Sequence, residues 1–293
     1  MMKSGVVSFL GRPNAGKSTL LNRIVGHKLA IVSDKPQTTR TRILGVKNYP
    51  DAQVVFVDTP GVHKPTHRLN VRMVDAAIDV VSEVDVLILV VDASVKPGPG
   101  DKFVLDAISK VTVPVILVLT KVDLIAKARL LPLIDHYQKA RAFAEIVPLS
   151  AVDGTNVDVL ERLVLERLPE GAPMYPPDYV TDMTELFAIS EIVREQVLQS
   201  THDELPFSTA VLVDRSEETP TMTSIHCTIV VDRESQKPIV VGKGGSMIKR
   251  IGTAARLELE RYLDAKVFLD LHVKVRSNWR DDERALDELG VRR

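Results

Sequence analysis

The sequence predicts an α/β chain: a P-loop, doubly wound, mostly parallel sheet with helices on both faces, followed by a smaller α+β domain. Three observations carry this expectation. Short, nearly all-apolar β-branched runs alternate with helix-period segments through the first part of the chain. A glycine-rich, lysine-bearing loop stands between the first such run and the first helical segment. Four prolines fall within the nine residues from Pro169 to Pro177, where neither pattern can continue.

In order, "VVSFL" (6–10) reads as a strand buried on both faces, and 17–25 as the helix after the glycine loop. The stretch 43–47 alternates and turns at "NYPDAQ", so it should pair antiparallel with 54–57 as an edge hairpin. Further strands are expected at 86–91, 113–119 and 145–149, with helices at 70–82, 102–110, around 133–143 and at 156–168. Segments 1–168 thus form the first domain, and 169–183 a proline-stiffened spacer. Beyond it, 184–293 reads as a helix (185–199), strands at 208–213 and 224–231, and a second glycine loop leading into helix to 263. A strand (267–275) and a last helix from about 281 complete it.

At 293 residues, 45% hydrophobic and 26% charged, the chain has the composition of a soluble two-domain protein. No apolar run approaches the roughly 18 residues that span a bilayer, and the start, "MMKSGVVSFLG", reads as a buried strand rather than a signal peptide. The single cysteine, Cys227, suits a reducing compartment and lies in a strand pattern, as a small core residue would. These features predict a cytoplasmic monomer. Peripheral membrane contact through basic helices is a further reading, with part of the protein then membrane-associated, although no strong amphipathic anchor is present. The net charge of −1 excludes a whole-molecule field for nucleic acid, yet 235–257 holds five basic residues and no acid.

Gly11-Arg12-Pro13-Asn14-Ala15-Gly16-Lys17-Ser18 fits G-x-x-x-x-G-K-[ST] in the strand–loop–helix context that the pattern requires. Backbone N–H groups of Asn14 to Thr19 at a helix start make a concave positive site for phosphates. Lys17 would reach the β- and γ-phosphates, and Ser18 would ligate Mg²⁺. Asp58, ending a strand in "VVFVDTPG", can hold Mg²⁺ through water, with the Gly61 N–H meeting the γ-phosphate. Lys121 and Asp123 end another strand, and Ser150 and Ala151 a further one. The Asp123 carboxylate can accept from both N1–H and the 2-amino group of guanine; adenine offers no such pair, a discrimination on the order of 10⁴.

Together, "GRPNAGKST", "PQTTR", "DTPGVHKP", "TKVD" and "SA" resemble the translation-factor-like GTPases, and among them those of ribosome assembly, over essentially the full length. The resemblance implies GTP hydrolysis, with Thr39 (rather than Thr38) closing on Mg²⁺ and the γ-phosphate, so that Lys17, Thr39 and Gly61 carry the reaction. It also implies that Asn14 helps place a K⁺ ion. Two departures matter. Thr120 stands where the base motif usually begins with asparagine, and should tie loops together with guanine specificity left to Asp123. Val62 stands where Ras-like enzymes carry a water-orienting glutamine, so intrinsic hydrolysis should be slow. His63 and His67 read as solvated loop residues.

The second glycine loop, "VVGKGGSMIK", has no G-K-[ST] and no strand-end aspartate spaced for Mg²⁺, which argues against a second nucleotide. Gly242-Lys243-Gly244-Gly245 resembles the GXXG loop of a type II KH domain, which clamps about four single-stranded nucleotides. Lys243, Lys249 and Arg250 would add salt-sensitive attraction to phosphates. With only Tyr262 and Phe268 nearby, an aromatic stacking platform is not expected. By resemblance the partners are GTP or GDP and the small ribosomal subunit, bound near the 3′ end of its rRNA during maturation. Two rival readings are a nucleotide-dependent phosphotransferase, for which no acceptor-and-base constellation is found, and an RNA-binding module with a vestigial nucleotide site.

Overall fold

The computed structural model describes residues 2–35, 37–202 and 205–291. Six strands form the first sheet: β1 (Lys3–Gly11), β2 (Ile43–Tyr49), β3 (Ala52–Asp58), β4 (Val86–Asp92), β5 (Val115–Thr120) and β6 (Glu145–Pro148). Their order is β2-β3-β1-β4-β5-β6, parallel throughout except for β2, which runs antiparallel to β3 as the edge hairpin. The helices are α1 (Lys17–Val25), α2 (Arg68–Asp79), α3 (Pro99–Ala107), α4 (Leu130–Ala140) and α5 (Val157–Arg167). Alternation along each strand divides the core between two faces. Ile88 and Val90 pack with Leu20, Leu21, Leu160 and Val164 of α1 and α5; Leu87, Leu89 and Val91 pack with Ala77, Val104, Leu133 and Tyr137 of α2 to α4. This is the doubly wound arrangement, and it gathers the carboxyl ends of β1, β3, β4 and β5 on one edge.

Boundaries differ where proline intervenes. α3 starts at Pro99, three residues before expectation, because a first-turn proline lacks only an N–H that would have no partner, and Asp101 accepts from the Gly98 N–H at 2.8 Å. β5 starts after Pro114, which cannot donate to a ladder. The proline-rich segment is not a detached spacer. Its Val180 carbonyl accepts from Val46 N–H at 2.8 Å, Thr181 Oγ1 donates to the Leu44 carbonyl at 2.6 Å, and Gln53 bonds the backbone of Met174 and Tyr175. The exposed edge of β2 presents unpaired backbone groups, and this segment satisfies some of them.

The second part holds α6 (Glu185–Ser200), α7 (Leu205–Ser208), β7 (Thr209–Glu218), β8 (Thr223–Val231), α8 (Lys237–Val241), α9 (Ser246–Leu263), β9 (Val267–Val275) and α10 (Glu283–Glu288). β8 pairs antiparallel with β7 and parallel with β9. β7 outruns its expected end because a register shift between Val213 and Arg215 interrupts the alternation. Cys227 is fully buried beside Ile225, Ile229, Ile251 and Leu259, and burial pushes its thiol up to about 12, so it is an inert core residue. Among the described residues, no helix is long and apolar enough to cross a membrane.

The two parts share a core. Leu69 and Met73 of α2 pack with Ala210, Val230, Trp279, Leu286 and Val291. Arg72, 6% exposed, donates to Asp287 Oδ1 and to the Val291 carbonyl, both at 2.6 Å, and also pairs with Glu283. His67 Nδ1 lies 2.9 Å from Asp281 Oδ2 in a solvent-exposed contact, so this partly exposed loop residue also ties the loop to the interface.

Candidate functional site

The loop from Gly11 to Ser18 follows β1 and opens α1. Asn14 (φ 61°) and Gly16 (φ 92°) take left-handed conformations that turn successive N–H groups toward one side of the loop. A Cβ on Gly11 would stand 2.2 Å from the Val90 carbonyl, and one on Gly61 2.6 Å from Pro13 Cα, so both positions require glycine for close backbone approach. The loop floors a cleft of about 480 Å³ lined by Asn14, Gly16, Lys17, Ser18, Thr19, Thr39, Gly61, Asp92 and Lys121 among others. A smaller, mostly apolar cavity of about 180 Å³ lies between Leu29, Ile31, Ala188, Ile192 and Tyr262, and the two cations in its lining, Lys28 and Arg261, are paired with Glu195 and Glu258.

The three residues expected to ligate Mg²⁺ meet on one side of this cleft. Ser18 Oγ donates to Asp58 Oδ2 at 2.6 Å and stands 2.8 Å from Thr39 Oγ1, which donates to the same Oδ2 at 3.1 Å. Asp58 is fully buried, and its other oxygen, Oδ1, has no hydrogen-bond partner among the described residues. Burial raises the pKa of this carboxyl against the pull of Lys17 and the two hydroxyls. A buried, half-satisfied carboxylate beside two hydroxyl oxygens is a donor set suited to a hard divalent cation. Lys17 Nζ donates to the carbonyls of Arg12 (3.0 Å) and Gly11 (3.3 Å), and burial pushes its ammonium down to about 8, opposed by Asp58.

The residues expected to read the base stand at the next strand ends. Thr120 Oγ1, donor to the Ala15 carbonyl at 2.7 Å and lying 3.0 Å from that of Val91, ties β5 to the glycine loop and to β4. Lys121 donates to Asp92 Oδ2 at 2.6 Å, while Asp92 Oδ1 accepts from the Ser94 N–H at 2.9 Å. Asp123 is exposed on the turn after β5, so the desolvation that would sharpen its choice of base is not built into the chain itself. Ser150 is buried and organises its own turn, its Oγ accepting from Asp153 N–H at 3.3 Å, and Ala151 packs into the core beside it. Asp92 escaped the sequence reading; the only signal was one aspartate closing the fourth strand.

The loop after β3 holds a second surprise. Val62 is fully buried and its N–H donates to the Gly11 carbonyl at 2.9 Å, so its side chain points into the core and cannot orient water. His63 is not a solvated residue: Nδ1 lies 3.0 Å from the Gly61 carbonyl and Nε2 2.7 Å from Asn70 Nδ2. Asn70 is itself buried, which fixes the ring. Asn14 Nδ2 donates to the Asp34 carbonyl.

The second glycine loop joins α8 to α9. Gly242 (φ 75°), Gly244 (φ 58°) and Gly245 (φ 79°) all need the left-handed side of the map, and a Cβ at Gly244 or Gly245 would meet no atom within 4 Å, so this backbone is open to a ligand. Lys243 and Lys249 are exposed. Arg250 is partly engaged, donating to the Ser200 carbonyl at 3.0 Å. The loop therefore presents glycine backbone and two lysines, with one arginine also stitched to α6.

Comparison with known proteins agrees with this geometry. The family model described as a 50S ribosome-binding GTPase matches residues 6–121, and the KH domain model matches residues 204–280. The GTPase Era of Geobacter metallireducens is 50% identical over 290 residues, covering 98% of this chain and 97% of the relative; that of Geotalea uraniireducens is 48% identical over 289 residues, with the same coverage. A crystal structure of Era in complex with MgGDPNP and nucleotides 1506–1542 of 16S ribosomal RNA superposes with a TM-score of 0.96 at 42% identity, covering 99% of both chains. An Aquifex aeolicus Era variant bound to GDP and AlF₄⁻ gives 0.95 at 41% identity, again over 99% of both chains. With a glycine-rich loop before α1, converging oxygens of Ser18, Thr39 and Asp58 and a second glycine loop on one chain, and relatives matching over nearly its whole length, the chain belongs to the GTPase Era family.

Proposed function

We propose that this chain is a GTP-hydrolysing switch that binds single-stranded RNA near the 3′ end of the small-subunit ribosomal RNA while that subunit matures. The observation that carries the reading is the meeting of Ser18, Thr39 and Asp58 oxygens within 3.1 Å of one another at the phosphate-binding loop. Ser18, Thr39 and Asp58 would hold magnesium, which when bound neutralises charge on the β- and γ-phosphates. Backbone N–H groups of residues 14–19 bind the phosphates, Lys17 neutralises the charge that builds on them, and the Gly61 N–H meets the γ-phosphate. Water attacks the γ-phosphorus, the bond to the β–γ bridging oxygen breaks, and GDP and phosphate leave. With Val62 turned into the core, the water is positioned by backbone, cation or partner, and the intrinsic rate is slow. Asp123 reads the guanine edge, Lys121 lines the base side, and the turn at Ser150 and Ala151 closes it. We place the division between the two domains in the proline-rich segment 169–183.

A potassium ion beside Asn14 belongs to the same reading. With its amide turned so that the oxygen faces the Asp34 carbonyl, two oxygens converge on a monovalent cation that would add positive charge at the phosphates. Turnover is then faster in potassium than in sodium at equal ionic strength; equal rates remove the ion from the site.

Lys17 gives the nucleotide site a pH dependence. Its ammonium, held at about 8 in the chain alone, is stabilised in the charged form by phosphates, so binding raises its pKa. Affinity for GDP is therefore level below about 8 and falls by up to about tenfold per pH unit above it, with a proton taken up on binding. Calorimetry in two buffers of different ionisation enthalpy should give uptake approaching one proton per nucleotide near pH 9 and almost none near pH 7. Absence of uptake at the higher pH contradicts the assignment.

For RNA, the reading assigns Gly242, Lys243, Gly244, Gly245, Lys249 and Arg250 to the phosphate clamp. Gly244→Asp with Gly245→Asp places two carboxylates where phosphates would lie, in space that the fold leaves open. Affinity for the 3′-terminal single strand should fall by at least about tenfold, a loss of 1.4 kcal/mol or more, in a protein whose thermal unfolding still shows a folded chain. Unchanged affinity would remove the clamp from this loop.

A further inference from the structure

The segment that carries Thr39 runs from the nucleotide cleft into the interface with the second domain. Thr39 itself faces Ser18 and Asp58. Its two neighbours face the other way. The Thr38 carbonyl accepts a hydrogen bond from Nη2 of Arg194 on α6. Arg194 is 2% exposed and is held by Glu191, whose two carboxylate oxygens accept from Nε and Nη2 at 2.6 Å each. Arg40, 6% exposed, donates to the carbonyls of Thr209 (2.7 Å) and Pro206 (3.3 Å). Its guanidinium lies 5.5 Å from the ring centroid of Trp279, which is fully buried and fixed by its Nε1–H to the Ser208 carbonyl at 3.0 Å.

This cluster is poorly explained as packing. Three guanidinium groups, Arg40, Arg194 and Arg280, influence one another around the carboxylates of Glu191 and Asp232. Arg40 Nε and Arg194 Nη1 are buried with no acceptor among the described residues. Buried charges with unmet donors are costly, and apolar residues of the same volume would fill the space at least as stably. What the arginines supply that apolar residues could not is a directed grip on the backbone around Thr39.

We infer that Arg194 is a positioning residue for GTP hydrolysis: from the RNA-binding domain it holds the Thr38 carbonyl and so sets the Thr39 hydroxyl where magnesium and the γ-phosphate need it. The inference rests on the assignment of Thr39 given above and adds a residue from outside the nucleotide domain. Thr39 meets the triphosphate but not GDP, so a grip that acts through Thr39 affects one nucleotide and spares the other.

The experiment uses the full-length chain with Mg²⁺ and compares affinities for GDP and a nonhydrolysable GTP analogue, together with kcat and KM for GTP. Arg194→Gln combined with Glu191→Gln removes the two members of this ion pair together, so neither is left facing a missing partner. Analogue affinity and kcat should each fall about tenfold, the factor that 1.4 kcal/mol represents, with GDP affinity within about twofold of the parent. Glu191→Gln alone keeps the Arg194 bond to Thr38 and should keep the ratio of the two affinities, even where thermal unfolding shows lost stability. Arg194→Lys, which can still reach the carbonyl with one donor, should recover part of the ratio. An unchanged ratio in the double variant, or equal losses for GDP and the analogue, overturns the inference. So does a single Glu191→Gln variant as impaired as the double. A parent chain that fails to hydrolyse GTP would instead overturn the reading of the nucleotide site itself.

Discussion

The structure depends on a buried carboxylate that the protein does not fully satisfy. Asp58 ends β3 with one oxygen shared by Ser18 and Thr39 and the other without a hydrogen-bond partner among the described residues. Burial raises the pKa of this carboxyl against the pull of Lys17 and the two hydroxyls, and a divalent cation would pull it the other way. Three separate pieces of chain are thereby brought to one point: the glycine loop, the segment around Thr39, and the strand end that leads into Gly61.

Two routes lead outward from that point. One passes through residues 38–40 to Arg194, Trp279 and the backbone at Thr209. The other passes from Gly61 along the loop to α2, where His67 and Arg72 reach Asp281, Asp287 and the Val291 carbonyl, and Leu69 and Met73 enter the shared core. Both segments therefore end on the part of the chain that carries the KH domain. Lys28 adds a third tie, with Glu195 at 2.6 Å and Glu258 at 2.8 Å. α9, which carries Glu258, begins at the GXXG loop. Such contacts couple the two sites only if one arrangement suits the triphosphate better than the diphosphate.

Much of this was legible in the sequence, for physical reasons. Strands buried on both faces must be apolar almost throughout, and phosphate-wrapping loops must use glycine where φ is positive, so β1, β3, β4, β5 and both glycine loops announce themselves. The prolines from 169 onward end the helical pattern, but composition does not reveal that the segment would lie along the β2 edge. Asp92 was missed because a lone aspartate at a strand end has no distinguishing pattern. His63 and His67 looked like surface loop because their partners, Asn70 and Asp281, follow from tertiary placement. The Arg194–Thr38 contact spans 156 positions and has no local signature at all. Asp123 was legible from its motif, and in the chain alone that residue is exposed.

In a GTP-governed RNA clamp, the two glycine loops must be energetically coupled. The direct measurement is the affinity of the full-length chain for the 3′-terminal single strand of small-subunit rRNA, taken at fixed salt with GDP and then with a nonhydrolysable GTP analogue. The account predicts that the two values differ by about fivefold or more, with RNA shifting the preference between the two nucleotides by the same factor. Identical RNA affinities in the two nucleotide states would contradict it.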